Sequence, residues 1–311
     1  MNNLALTNQE LVKPISVLFK DRVYPIHVKF NPATVCNIRC TFCNNDDYNY
    51  LSPDAKNLAN IPDTIKMFKG LRDRGTKAVS IEGGGEPTVH PDFNLLVSSL
   101  AGLGLEVGVL TNGTRLKSIE PVMGLFTWVR VSFSDEYEDI TANDLTLDLV
   151  LDQVSSWIKT EQQVDISFNF VDMGIDNVIW DGVVEFIAEH QGYSNFLGMR
   201  VSPDDTQDKG LTKESDLESV IFTGGVTEDT PIPKGGRCKV GLARPVITPN
   251  HTVYACCRLM EGFNFSAPYK EDILTIIDKQ IEYTCSLTEC PFNSLRETLN
   301  SIDEVRHPNF V

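Results

Sequence analysis

The stretch "CNIRCTFC", residues 36 to 43, puts three thiols into eight positions directly after the short apolar run "IHVKFN" (26 to 31). Its reading decides the fold. A loop that follows the first strand of a βα unit lies at the face where such folds place their chemistry. A structural zinc site takes four protein ligands, and the nearest histidines, His27 and His90, lie outside the loop, so zinc is one ligand short. An iron-sulfur cubane held by three cysteines leaves one iron open to a small molecule with nitrogen and oxygen donors. Both metals stay open on spacing alone.

Outward from that loop, short apolar runs alternate with stretches of helical period from about residue 25 to 202, the pattern of repeated βα units on a parallel sheet. Six strands are expected: "IHVKFN" (26 to 31), "KAVSIE" (77 to 82), "EVGVLT" (106 to 111), "WVRVSF" (128 to 133), "DISFNFV" (165 to 171) and "FLGMRVS" (196 to 202). Leu147, Val150, Leu151, Val154 and Ile158 fall at helical spacing, as do Ile179, Val183, Phe186 and Ile187, and Phe93, Leu96, Val97 and Leu100. Six units are too few for a full eight-stranded barrel, which leaves an α/β partial barrel or a doubly wound sheet. Ligands sit at the C-terminal strand ends in both.

Composition bounds the function. The chain has 311 residues, 41% of them hydrophobic, enough for one large α/β domain with a smaller one appended. A net charge of -16 argues against nucleic acid as a partner. The start "MNNLALTNQE" lacks the basic end and apolar run of a signal peptide, and no membrane span is expected, so the reading is cytoplasmic. In a reducing compartment the eight cysteines suggest metal binding rather than disulfides.

Further strand ends carry small and polar residues. "IEGGGEPT" (81 to 88) closes the second strand with glycines that admit a ligand to the backbone and with Glu86, whose carboxylate could accept from an ammonium group. "TNGT" (111 to 114) closes the third and "VSFSD" (131 to 135) the fourth. In this order, "CNIRCTFC", "GGGEP", "TNG" and "VRVSFSD" resemble the radical S-adenosylmethionine (SAM) superfamily over roughly residues 25 to 202. The resemblance implies a partial (β/α)6 barrel like that of triosephosphate isomerase. It also implies that Cys36, Cys40 and Cys43 ligate a 4Fe-4S cluster whose open iron chelates SAM. Phe42 would lie near the adenine; Gly84, Gly85 and Glu86, followed by Pro87, match the stretch that receives the methionine amino group. Asn112, Ser132, Asn169 and Arg200 stand at strand ends that offer contacts to the cofactor. Asp135, Asn169, Asp172 and Arg200 are also candidates for a base or substrate clamp.

A second cysteine group, Cys238, Cys256, Cys257, Cys285 and Cys290, follows a polar stretch from 203 to 236 that reads as a linker or covering loop. "RPVIT" and "TVYAC" flank the turn "PNH" as a hairpin, and Ile273, Ile276, Ile277 and Ile281 mark a helix. Adjacent strand residues point to opposite faces, so one of Cys256 and Cys257 is expected to be spare. The unit from 237 to 311 resembles the C-terminal auxiliary-cluster extension of the same superfamily in its shorter form, called Twitch, related to the longer SPASM form. The resemblance implies an auxiliary 4Fe-4S cluster, or less favoured a 2Fe-2S cluster, on Cys238, Cys256, Cys285 and Cys290. A structural zinc site on the same thiolates is the alternative. His251 stands where a turn glycine is usual, and Asn250 is expected to take the left-handed conformation.

The resulting expectation is a radical SAM oxidoreductase that abstracts hydrogen from a small polar molecule or a peptide, with the auxiliary cluster accepting an electron and a flavodoxin or ferredoxin as donor. Only about 24 residues precede the first strand, which modestly favours a small substrate. Epimerisation or cyclisation is the second enzymatic reading, and a two-cluster electron-transfer or scaffold protein the non-enzymatic one.

Overall fold

The computed structural model describes residues 24–43, 58–141, 146–161, 163–175, 178–204, 211–222, 230–231, 237–255, 268–285 and 289–290. Each of the six expected runs forms a strand: β1 (His27–Phe30), β2 (Ala78–Ile81), β3 (Glu106–Thr111), β4 (Trp128–Ser134), β5 (Asp165–Asp172) and β6 (Phe196–Pro203). Later come β7 (Val220–Phe222), β8 (Thr230–Pro231), β9 (Arg237–Cys238), β10 (Val246–Ile247), β11 (Val253–Tyr254), β12 (Tyr283–Thr284) and β13 (Glu289–Cys290). Nine of them share one sheet in the order β11-β10-β1-β2-β3-β4-β5-β6-β7, parallel from β10 to β7. Only the β10–β11 pair is antiparallel in that sheet. The architecture is a partial barrel of the triosephosphate isomerase kind.

Crossover helices α1 (Ile61–Asp73), α2 (Phe93–Gly102), α3 (Leu147–Thr160) and α4 (Val178–His190) connect these strands. Side-chain caps fix two of their starts: Asn60 accepts from the Asp63 amide ahead of α1, and Thr146 from the Leu149 amide ahead of α3. The apolar stripes read from the sequence are buried, joined on α3 by Trp157. They meet one face of the sheet, where Phe30 packs edge-on against Phe68 of α1 and Phe170 against Trp180 of α4, with centroids 5.4 and 5.1 Å apart. Burying each such ring contributes about 1.5–3 kcal/mol.

The opposite face is polar. Alternate strand positions carry Lys29, bonded to Glu82 at 2.8 Å, and His27, bonded to Ser80 at 2.6 Å. Arg130 on β4 donates to Ser167 on β5 at 3.1 Å. With helices on one side, these residues line the barrel interior.

Burial, helped by the Arg244 and Lys29 charges, pushes the His27 imidazole down to about 3. Such a group folds neutral, so its stability is complete above the unfolded value of 6.5 and is lost as pH falls toward the folded one. Between pH 7 and 5 the unfolding free energy is expected to drop by about 2 kcal/mol from this side chain. Urea midpoints at the two pH values should show that loss, and His27→Gln should remove it.

Two features extend the sequence expectation. The stretch from 203 to 236 contains β7, a run of three residues too short to read as a strand, which pairs with β6. The hairpin of the C-terminal unit joins the main sheet, with Val246 and Ile247 beside Lys29 and Phe30. Its turn also differs: the left-handed residue is His251 (φ 62°), not Asn250. Asn250 Oδ1 instead accepts from Thr252 N and Thr248 Oγ1, while the His251 ring bonds Thr64 on α1 at 2.9 Å. A side chain that closes the turn leaves the strained conformation to its neighbour. The expected fourth helix is α5 (Ile273–Lys279), capped by Asp272 and ended by left-handed Gln280, so Ile281 lies beyond it.

Candidate active site

The cysteine loop leaves the C-terminal end of β1, and a turn in which Cys43 N donates to Cys40 O (3.2 Å) draws the last two thiols together. Burial pushes the Cys36 thiol up, with Glu86 and the Cys43 sulfur adding to it. Burial likewise raises Cys40, together with the sulfurs of Cys43 and Cys36 and the Glu136 carboxylate. Cys36 and Cys40, so raised, become thiolates only against concentrated positive charge. Among the described residues, no three His, Cys, Asp or Glu side chains surround a single-ion site. Zinc needs its ligands gathered about one centre, whereas each thiolate of a cubane meets its own iron. Three thiolates, one short of a structural zinc set, fit a cluster that leaves one iron open.

The glycine stretch packs against the chain that leads into this loop. Gly85 N donates to Ala33 O (3.1 Å) and Glu86 N to Val35 O (3.0 Å). A Cβ on Gly85 would lie 2.2 Å from Val35 O, so no other residue allows the approach. At Gly84, itself buried, a Cβ would rest in ordinary contact with Asn31 Nδ2 at 3.7 Å, so the packing there is close but not prohibitive. Pro87 is buried and begins the short 3-10 turn after Glu86.

Glu86 is a buried hub. Its Oε1 accepts from Thr88 N, Thr88 Oγ1 and Thr111 Oγ1 at 3.1, 2.6 and 2.7 Å, and its Oε2 from Asn112 N at 2.7 Å. Burial holds its pKa above the usual carboxylate range while these donors pull the other way. The expected ammonium acceptor is thus already engaged by four protein donors that tie the end of β2 to the end of β3. Asn112 carries the link onward, donating through Nδ2 to Asn37 Oδ1 at 3.1 Å and standing 3.9 Å from Cys36 Sγ. Asn37 in turn donates to Thr114 (2.7 Å).

Two residues beside this loop escaped the sequence reading. Glu136, which follows β4, accepts from Thr41 N at 2.7 Å and Thr41 Oγ1 at 2.8 Å, gripping the link between Cys40 and Cys43. Tyr137 donates to Asn112 O at 2.7 Å. Within "SDEYED" Glu136 looks like any solvated acid, so only the fold reveals it. A hydrogen bond to a charged group contributes about 1.5–3 kcal/mol, and Glu136→Gln is expected to speed cluster loss to a chelator roughly tenfold. The decay of the cluster's visible absorbance under anaerobic conditions measures this.

The remaining candidates fall into two sets. Ser132, Asn169 and Arg200 form one row across β4, β5 and β6, paired Ser132 to Asn169 and Asn169 to Arg200 on the interior face. Phe42 is half-buried within the cysteine loop. Asp135 and Asp172, read as clamp candidates, instead hold backbone. Asp135 accepts from Met173 N (2.8 Å) and pairs with Lys213 (3.1 Å), and Asp172 accepts from Gly174, Thr212 and Lys213 amides. Burial would raise Asp172, but the Thr212, Lys213 and Gly174 donors outweigh it and hold its carboxyl below the usual range. Together they strap the segment after β6 onto the strand ends.

In the later group, Cys238 and Cys285 are buried and lie close along the β9–β12 pair, where Cys238 faces Tyr283. Cys290 falls in β13, which pairs with β8. Cys256 and Cys257 lie outside the described residues. No described helix is long and apolar enough to cross a membrane.

Comparison with known proteins agrees with this geometry. The model of the radical SAM superfamily matches residues 30–184. The chain is 30% identical over 161 residues to a probable GTP 3',8-cyclase of Thermococcus kodakarensis, covering 50% of each protein. It is 33% identical over 93 residues to the antilisterial bacteriocin subtilosin biosynthesis protein AlbA of Bacillus subtilis, covering 30% of this chain and 20% of that one. The chain thus spans half or less of these curated relatives. Among solved structures, Streptococcus suis SuiB bound to its precursor peptide SuiA superposes with a TM-score of 0.59 at 16% identity, covering 86% of this chain and 67% of that one. That likeness speaks for the fold.

Proposed function

The chain carries a radical SAM superfamily domain across residues 30–184, whose members bind a 4Fe-4S cluster and SAM, and from that premise we propose an enzyme that cleaves SAM reductively and abstracts hydrogen from a carbon of its substrate. When bound, the cluster and SAM supply a one-electron cleavage that yields a 5′-deoxyadenosyl radical. Cys36, Cys40 and Cys43 are the residues that would hold the cluster. Glu136 and Asn37 fix their loop, and Ser132, Asn169 and Arg200 offer polar contacts to the cofactor. The observation that carries this reading is the bonding of the cysteine loop to the ends of β2, β3 and β4 at once.

Net oxidation, with an auxiliary cluster on Cys238, Cys256, Cys285 and Cys290 taking the electron, is the favoured outcome, because four thiolates complete a cluster's coordination and leave no iron for substrate. A peptide substrate is the second reading, supported by the name of the subtilosin biosynthesis relative. The test is anaerobic reconstitution, iron and sulfide counting, and incubation with SAM and dithionite. Formation of 5′-deoxyadenosine is expected. Tightly held SAM without turnover would instead indicate an electron-transfer or scaffold protein.

A further inference from the structure

One rung below the row of Ser132, Asn169 and Arg200, the interior holds a guanidinium whose hydrogen-bonding fork is unused. Arg130 donates through Nε to Ser167 Oγ at 3.1 Å, and its carbon Cζ stands 5.7 Å from the centre of the Trp128 ring. The indole lies across Gly108 so closely that a Cβ there would come within 2.0 Å of it. Trp128 is thus a floor laid on a glycine of the adjoining strand, and it carries the arginine above it. Among the described residues, Nη1 and Nη2 of Arg130 have no hydrogen-bond or ion-pair partner.

A second cation lies near it. Arg200 lies on the same face, one strand past Asn169, and burial with the Arg200 charge pushes the Arg130 guanidinium down. Glu82 opposes this, but it is already bonded to Lys29 at 2.8 Å. His27 folds neutral. A chain of net charge -16 therefore sets two guanidinium groups on one face of its sheet, Arg130 half-buried and Arg200 exposed. A half-buried cation is stable when an anion meets it, and a guanidinium fork matches a carboxylate or a phosphate with two parallel bonds.

We infer that Arg130, set on Trp128 and flanked by Arg200, is the docking point for an anionic group of the substrate, a carboxylate or a phosphate, held beneath the cofactor. This deepens the catalytic reading and rests on it for the identity of the occupant. The fork fixes one end of the substrate on the strand framework, so the carbon that loses hydrogen is set by the substrate's length above Arg130.

The test is calorimetric titration of the reconstituted, SAM-saturated protein with glutarate and, separately, with inorganic phosphate at constant ionic strength. Saturable binding of at least one anion is expected, weakened at least tenfold in Arg130→Gln and unchanged in Arg72→Gln, whose guanidinium pairs on the surface with Asp73. The tighter anion names the group the substrate carries. If Arg130→Gln does not fold, Arg130→Lys, which keeps the charge but loses the fork, must show the weakening instead. Failure of both anions to bind, or binding indifferent to the arginine variants, overturns the inference. So does binding seen without SAM and abolished by it, which assigns the arginines to the cofactor's own carboxylate. A 5′-deoxyadenosine assay on the same preparation separates the two levels: anion binding without SAM cleavage removes the catalytic reading alone, and cleavage without anion binding removes this one alone.

Discussion

Replacing Cys40 by alanine is expected to reduce 5′-deoxyadenosine formation to background and to remove the iron of the N-terminal site. Cys40 is the central thiol of the three, adjacent to the residue that Glu136 holds, and its ionisation feels the sulfurs of both Cys43 and Cys36. Two thiolates do not retain a cubane that already leaves one iron to the cofactor. Among the described residues, the neighbouring carboxylates of Glu86 and Glu136 are committed to Thr111, Asn112 and Thr41 and cannot substitute. Iron counting should be paired with Cys238→Ala as the control. That variant should lose only the auxiliary iron while SAM cleavage persists, so the two losses are told apart on one scale. Full iron retention in Cys40→Ala would place the cluster elsewhere.

Glu86→Ala is expected to have the largest effect on stability. The substitution strips acceptors from the Thr111 and Thr88 hydroxyls and the Thr88 and Asn112 amides, and most of these groups are buried. Orphaned buried donors cost about 1–3 kcal/mol each, and with partial relaxation the total is on the order of 4 kcal/mol. That corresponds to a melting temperature lower by roughly ten degrees. Asn112 would also lose the anchor that sets it against Asn37, so cluster retention should fall together with the melting point. Calorimetry on the cluster-free protein separates the two. An unchanged melting temperature would show that the hub is dispensable.

The strands were legible because each obeys a simple rule. β3, for instance, spans Glu106–Thr111, the bounds of its apolar run, and β4 and β5 each gain one residue. The stripe on α3 was legible for the same reason, since burial against a sheet imposes helical spacing on Leu147, Val150 and Leu151. What escaped was long-range and polar. The bonds from Glu136 to Thr41 and from Lys213 to Asp135 join positions 95 and 78 apart, and no local pattern encodes such a partner. The site motifs were visible as residue types at strand ends, but the direction of the Glu86 carboxylate was not. Its hydrogen bonds to Thr88, Thr111 and Asn112 depend on how two strand ends approach. The short strand β7 was hidden because three residues carry too little periodicity to declare a strand, and the pairing of the expected hairpin strand β10 with β1 had no local signal.

The pairing of β10 with β1 has a consequence for how the molecule is made. Lys29 N bonds Pro245 O and Asn31 N bonds Ile247 O, partners more than 200 positions downstream. During synthesis the strand that leads into the cysteine loop emerges early and waits with one flank bare until more than 200 further residues have followed. A nascent or prematurely terminated chain therefore exposes an adhesive edge beside the three thiols of the site, and maturation of the metal centre is best served when it follows, rather than precedes, arrival of that distant hairpin.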